Sequence, residues 1–349
     1  VRYLFAFLLT GTLFAATPTD LTPRIGAIEI YGARKVSAEK IQKALAVKPG
    51  DYLPSRQQSE DRINKVGDVL VSRVEAACCI GQDMILYVGV EEKGAPRMEF
   101  HPPPTGAVKM AESLSANYRR FLDEVADSMR GKNADEDLTN GYSLMADPDC
   151  RRIQKDFLPA VAADLPNIAR VVRESADPEQ RAAAVYLLQY APRGPRTTPV
   201  MVNAIQWALQ DDDDVVRETA MTSLRAVMVG ARLHPDQDIH IEPTWLVALM
   251  NSVVFSDRYH ASQALVSLTD SPNPEALSLL RAQALPSVLE MARWHELDHA
   301  LPSFMLAGRL AGLNDERIKQ AWVSENRDSV LEQAAGPGKH KKKSKSETE

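Results

Sequence analysis

The chain has 349 residues, 44% of them apolar and 25% charged, with 8 Phe, 4 Trp and 9 Tyr. That length holds two domains with cores of their own, and the composition excludes a collagen, a disulfide-stapled miniprotein and a wholly disordered chain. The net charge of −6 argues against a protein devoted to nucleic acid; the last 14 residues carry five Lys against two Glu, so the rest stands at −9.

Residues 1–16 read as an export signal. Arg2 is the only charge before Asp20, and Tyr3–Phe14 is a 12-residue apolar run, too short to span a bilayer but right for a signal-peptide core. Ala15 and Ala16 offer small residues for cleavage, although Leu13 and Phe14 before them are bulky. Retention as an N-terminal anchor is the alternative. The expected location is exported, periplasmic or envelope-associated, with no membrane span once the signal is removed.

From Arg24 the pattern changes several times. Ile25–Ile30 alternates as a short strand ending at Gly32. Ser37 is placed to cap a helix over Ala38–Ala46, with Ile41 and Leu45 on one face. Lys48-Pro49-Gly50-Asp51 is a turn, and Ser55 opens a second helix through Val66. Val69–Ala77 and Met84–Val90 are β-rich runs joined by a hairpin at Gly81-Gln82-Asp83. One sheet with two helices on one face satisfies this β-α-α-β-β order.

That order, opening with IEIYGARKVSAEKIQKALAVKPGD, resembles a POTRA domain over about 70 residues. The resemblance implies a small extracytoplasmic module that binds other polypeptides at a sheet edge through main-chain hydrogen bonds. This chain has a single copy, and the pattern that follows is helical, so outer-membrane insertion is not implied.

Pro102-Pro103-Pro104 punctuates the chain before a helix period over Gly106–Arg130. Lys132–Asp137, with its Asp135-Glu136-Asp137 acids, reads as a charged, solvated loop. Ile153–Val172 reads as further helix, with Pro159 and Pro166 near starts or kinks.

A repeat follows. Arg-x-x-Ala-x-x-x-Leu recurs as Arg181/Ala184/Leu188, Arg217/Ala220/Leu224 and Arg258/Ala261/Leu265, offset by 36 and then 41 residues. A weaker copy, Ala300 with Phe304, lies 39 residues further on and lacks the Arg. Apolar helices are expected between copies at Val200–Leu209, Thr244–Val254, Leu285–Ala292 and Asp315–Gln333. One helix pair cannot bury its own apolar face, so pairs must stack.

These residues resemble HEAT repeats of the short kind related to phycobilin-lyase repeats, with DDVVRETAMTSL the best match and residues 177 to about 333 covered. The resemblance implies that the small Ala lets helices approach and that Asp and Arg pair between repeats. Arg181, Arg217, Arg258, Asp177 and Asp213 are therefore structural. The whole arrangement looks like a family of uncharacterised bacterial exported HEAT-repeat proteins.

His295-Glu296-Leu297-Asp298-His299 satisfies H-E-x-x-H, the zinc-metallopeptidase signature in which two imidazoles one helical turn apart hold the metal. Asp298 stands where an uncharged residue is usual, and Pro302 follows three residues after His299. No Gly-x-x-His continuation appears, and Glu316 lies beyond Gly308 and Gly312. The repeat register also calls for a turn here. The segment is read as an exposed loop.

The remaining signals are structural in character. Cys78, Cys79 and Cys150 are too few for a disulfide scaffold, and an odd count leaves a thiol unpaired or pairs it with another chain. With no CxxC, no cysteine zinc site is indicated. Asp211–Asp214 reads as the N-terminal cap of the helix beginning at Val215. Trp207, Trp245 and Trp322 are expected mostly in the core, and Trp294 in solvent. The tail from Gly336-Pro337-Gly338 onward breaks the last helix and continues as a solvated Lys run.

The expected fold is mostly α: a C-terminal HEAT-type α-solenoid (177–335) behind a small N-terminal α+β domain (24–95). A helical link (96–176) joins them, and a Lys-rich tail (336–349) follows. The expected function is an exported non-enzymatic scaffold or adaptor binding other proteins, or envelope polymer, through the solenoid groove and the sheet edge. No catalytic residue, cofactor, metal or nucleic acid is expected. The alternative is an envelope zinc metallopeptidase using His295, Glu296 and His299.

Overall fold

Strand β1 (Ile25–Tyr31) alternates between buried and half-buried residues, as its sequence does. The computed structural model describes residues 23–130, 135–324 and 326–336, so the expected export signal over 1–16 and the lysines of the tail lie outside the described residues. Helix α1 (Ala38–Leu45) buries Ile41 and Leu45, and α2 (Arg56–Ile63) starts at Ser55, whose hydroxyl accepts from the Gln58 N–H. Ser37 occupies the N-cap position of α1, but its side chain makes no capping bond to the backbone.

Strands β2 (Val69–Ile80) and β3 (Asp83–Glu92) form the antiparallel hairpin, and β1 joins β3 in parallel, giving the order β1-β3-β2. Ile85–Val90 of the central strand are all buried, because both faces of the sheet are covered. On one face Val74, Leu86, Val88 and Val90 meet α1 and α2 in a small core of their own. On the other, Ala27, Tyr31, Ile85 and Tyr87 enter the main core of the helical part. The sheet is thus the middle of three layers.

Helix α3 (Glu112–Arg130) begins six residues later than the periodicity over 106–130 suggests. The segment before it runs extended across the helical part. The His101 N–H donates to the Gln210 carbonyl at 2.7 Å, Gly106 bridges Ser175, and the Met110 N–H donates to Gln180 Oε1 at 3.1 Å. Pro96 and Pro102–Pro104 remove N–H groups and favour extended backbone, so this stretch takes its hydrogen bonds from the helical part it crosses. A Cβ on Gly106 would meet the Glu174 carbonyl oxygen at 2.3 Å.

The short strand β4 (Glu136–Asp137) forms where a solvated loop is expected over 132–137 and pairs with β5 (Leu144–Met145); residues 132–134 of that loop lie outside the described residues. Helix α4 (Pro148–Glu174) is one long element bent at Asp164, two residues before Pro166. Then come α5 (Pro178–Leu188), α6 (Thr198–Trp207), α7 (Asp214–Leu233), α8 (Thr244–Leu249), α9 (Phe255–Leu268) and α10 (Pro274–Leu279). A π turn leads into α11 (Leu285–Met291), followed by α12 (Leu297–Leu310), α13 (Asp315–Val323) and α14 (Arg327–Ala335).

The chain is mostly helical with one small sheet near its N-terminus. Helices α5, α7, α9 and α12 each touch the next, and α4, α6, α8 and α11 lie beside them. Ala184, Ala220, Ala261 and Ala300, together with Leu188, Leu224, Leu265 and Phe304, are fully buried. The repeated small and large residues therefore sit where neighbouring helices meet. Among the described residues no helix is long and apolar enough to cross a membrane.

Three expectations need correction. The helix expected over Thr244–Val254 stops at Leu249, because Ser252 is drawn into side-chain bonds with the start of α9. Asp315–Gln333 is two helices, turned where the Asn326 N–H closes on the Ala321 carbonyl so that Val330, Leu331 and Ala334 are buried. Trp294 is 2% exposed, whereas Trp207 and Trp245 are 41% and 37% exposed.

Candidate functional site

The repeated arginines are buried, and each reaches an acid of the following period. Arg181 sets Nε and Nη2 at 2.7 Å from the two oxygens of Asp211, and Arg217 sets the same pair at 2.9 Å from Asp257. Arg258 reaches Glu290 at 3.1 Å. Each arginine also donates to the carbonyl six residues before it, on Ser175, Asp211 and Ser252 respectively.

Planar guanidinium forks onto carboxylates hold geometry tightly, so this row sets the register between successive helices. Asp177 and Asp213 are not its acids. They accept backbone N–H groups at the starts of α5 and α7, which is a capping role. Asp211, at the head of the four-acid run, carries the pairing instead.

The last two rungs meet aromatic rings from the N-terminal part. The Arg217 guanidinium lies 4.2 Å from the Phe100 ring centroid, and that of Arg258 lies 4.5 Å from Tyr31. Glu290 also accepts from the Gly32 N–H at 3.2 and 3.3 Å and from Arg34 at 3.3 Å. The row of pairs thus ends on β1.

Around it the sheet docks through aromatic contacts. Tyr31 OH donates to the Val253 carbonyl at 2.9 Å, and the Tyr87 ring stacks on Phe255 at 3.8 Å with Trp294 edge-on at 5.0 Å. Glu75 of β2 accepts from the Phe255 N–H at 2.9 Å. Gly89 lets β3 come this close to the turn before α9, because a Cβ there would lie 1.9 Å from the Val253 oxygen.

The H-E-x-x-H residues belong to this junction. His295 precedes α12, and both its backbone N–H and its Nδ1 meet Glu29 Oε1, at 2.6 and 2.7 Å. Glu296 is the N-cap of α12 and accepts from the Asp298 N–H. His299 lies inside α12, its Nδ1 2.6 Å from the Tyr87 hydroxyl. The two imidazoles therefore do not share one helix face.

Nor is the segment an exposed loop throughout: His295 is exposed, but His299 is half-buried. The helix runs through Pro302 to Leu310, since a proline this close to the first turn removes a single backbone bond. Burial lowers the His299 pKa and raises that of Tyr87, so both groups stay neutral and the Tyr87 hydroxyl can donate a hydrogen bond to the His299 imidazole. Among the described residues no group of three or more His, Cys, Asp or Glu is placed to hold a metal ion.

Cys78 and Cys79 are bonded to each other near the end of β2, and Cys150 is a buried free thiol whose pKa burial pushes up to about 11. Among the described residues, two open surfaces lie close to these elements. Strand β2 is an edge of the sheet: Glu60 Oε1 accepts from the Val74 N–H, but beyond it Ala76, Cys78 and Ile80 are exposed. Between α3 and α7 lies a cavity of about 320 Å³ lined by Tyr118, Leu122, Val125 and Met129 on one side and Glu218, Thr219 and Thr222 on the other.

Sequence reasoning did not single out Glu290, Gly89 or Tyr87. Only Gly89 carries a local signal, since a glycine inside a strand often marks close backbone approach. No family model, curated protein or solved structure matches the chain.

Proposed function

We propose that the chain is an exported protein-binding scaffold, a HEAT-type α-solenoid carrying a POTRA-like sheet, in the periplasm or otherwise at the envelope. The recurrence of the Arg-to-acid pair and of the carbonyl contact six residues back supports the solenoid, because the same kind of pairing in successive periods is what stacked repeats produce. The observation that carries the binding role is the edge of β2. Ala76 turns its N–H to the same side as Val74, and this edge, with Ala76, Cys78 and Ile80 exposed, can take an added strand. Location in the envelope rests on the apolar run at Tyr3–Phe14.

The test is chemical crosslinking in the native envelope followed by capture of the full chain. Ala76→Pro should lose the crosslinked partners, since proline on an outward-facing position blocks strand addition. His295→Ala, and added chelator, should leave them in place. Stoichiometric zinc on the purified chain, with an envelope proteolytic activity lost in His295→Ala, would replace this reading with the metallopeptidase.

A further inference from the structure

Successive side chains of a strand point to opposite faces, so two neighbouring cysteines cannot join across a regular pleat. Cys78 and Cys79 are nonetheless bonded to each other, and the ladder shows where the pleat gives way. Ala77 stands opposite Ile85 and Ile80 opposite Asp83, which leaves the two cysteines facing Met84 alone. That is a β-bulge, two residues against one, and the bond closes it into a ring. The bulge lies at the outer end of the β2 edge, directly before the Gly81-Gln82 turn.

The position is accessible. Ala76, Cys78, Ile80, Gly81 and Gln82 are exposed, so a thiolate can approach the Cys78 sulfur from solvent. Cys150 is buried in the main core and takes no part. Residues 75–84 contain Glu75 and Asp83 but no Lys, Arg or His, so no cation of this segment lowers a thiol pKa. That suits a bond opened by an incoming dithiol more than one that oxidises other proteins.

We infer that Cys78–Cys79 is a redox switch on the docking edge: closed, it holds the end of β2 ready for an added strand, and opened by a dithiol, it loosens that end. A thiolate of the dithiol attacks one sulfur, the Cys78–Cys79 bond breaks, and the other cysteine leaves as a thiolate that takes up a proton. The second thiol of the reagent then displaces the first cysteine from the mixed disulfide. Two cysteine thiols remain, and the reagent departs as its own disulfide. Opening the ring frees the backbone of both residues, so an added strand must first order them, which weakens binding. The effect on binding rests on the reading of β2 as a docking edge; the opening of the pair does not.

The test uses the full chain, purified without reductant and treated with iodoacetamide before and after dithiothreitol. Before reduction neither Cys78 nor Cys79 should be alkylated; afterwards both should be, with Cys150 protected throughout. Amide hydrogen exchange should rise several-fold across 76–84 on reduction and stay unchanged elsewhere. Cys78→Ser/Cys79→Ser should exchange like the reduced parent, with or without the reagent. Alkylation before reduction, unchanged exchange in 76–84, or a rise spread over the helices would overturn the switch. In native-envelope crosslinking, the double variant should lose partners that the parent keeps. If it keeps them while Ala76→Pro loses them, the pair does not govern the edge. If Ala76→Pro keeps them too, the docking edge itself is refuted, and alkylation and exchange still decide whether the pair opens and loosens the strand end.

Discussion

The Arg217 guanidinium forks onto the Asp257 carboxylate, 40 residues away, with both contacts at 2.9 Å and both side chains buried. The same carboxylate accepts from the Ser252 hydroxyl, and the same guanidinium donates to the Asp211 and Asp212 carbonyls. Every charge in this contact is thereby met. A buried pair of this kind sets register more than it adds net stability, because removing two charges from water offsets most of their attraction.

Breaking one half of the pair should therefore cost far more than replacing both. Arg217→Ala leaves Asp257 buried without its cation and should lower unfolding free energy by about 3–5 kcal/mol. The double variant Arg217→Met/Asp257→Leu should lie close to the parent. Urea denaturation of the three chains checks this, and equal losses in single and double variants would show that packing, not charge, dominates.

Ala220 tests the helix contacts directly. It is fully buried in α7, which touches both α5 and α9. Ala220→Glu should destabilise by several kcal/mol, since a carboxylate would enter a closed contact with no partner. A thermal melt matching that of the parent would refute the packing described for this helix.

Gly89→Ala should separate the sheet from the helices without unfolding either. The new methyl would collide with the Val253 backbone oxygen and with the Tyr31 hydroxyl, neither of which can yield without breaking the docking contacts. Trp294, buried against Tyr31, Tyr87 and Phe255, reports the change. A red-shifted tryptophan emission with unchanged far-UV circular dichroism is expected, together with faster proteolysis in the 93–111 segment.

His299 should make stability depend on pH. Its folded pKa lies below the ordinary 6.5 because burial disfavours the charged ring, an effect that Glu296 and Asp298 partly oppose and His260 reinforces. Above pH 6.5 the ring is neutral in both states. As pH falls below that value the unfolded chain takes up the proton first, so stability is lost until the folded ring is protonated too. His101 shifts in the same direction, so the parent must be compared with His299→Gln. The drop in melting temperature between pH 7.5 and 5.5 should be smaller in the variant, and an identical drop would remove His299 from the account.

Much of the local structure was legible in the residues themselves. The alternation at Ile25–Ile30, the turn at Gly81-Gln82 and the capping of α7 by the 211–214 acids act over a few residues, and contiguous sequence encodes such effects. The Arg-x-x-Ala-x-x-x-Leu period was legible for the same reason: a helix turn brings those positions onto one face. Where local rules competed with distant partners they failed. Thr244–Val254 has a helical period throughout, yet Ser252 bonds to Asp257 and Arg258 and the helix stops short of it.

The sequence by itself determined the order of elements in the N-terminal sheet part, the Arg-x-x-Ala-x-x-x-Leu period and the structural role of its arginines. Only the tertiary structure decided what they meet. Nothing near Glu290 marks it as the shared acceptor of Arg258, Gly32 and Arg34, and nothing near His295 announces Glu29, 266 residues away. The H-E-x-x-H residues illustrate the limit. Their spacing fits a shared helix face, but α12 starts at Leu297, after Glu296 has capped it, and the sheet draws His295 to β1 and His299 to β3. Periodicity follows from bonds along one chain segment, whereas docking depends on which surfaces remain apolar or unpaired once each segment has folded, and that is a property of the whole molecule.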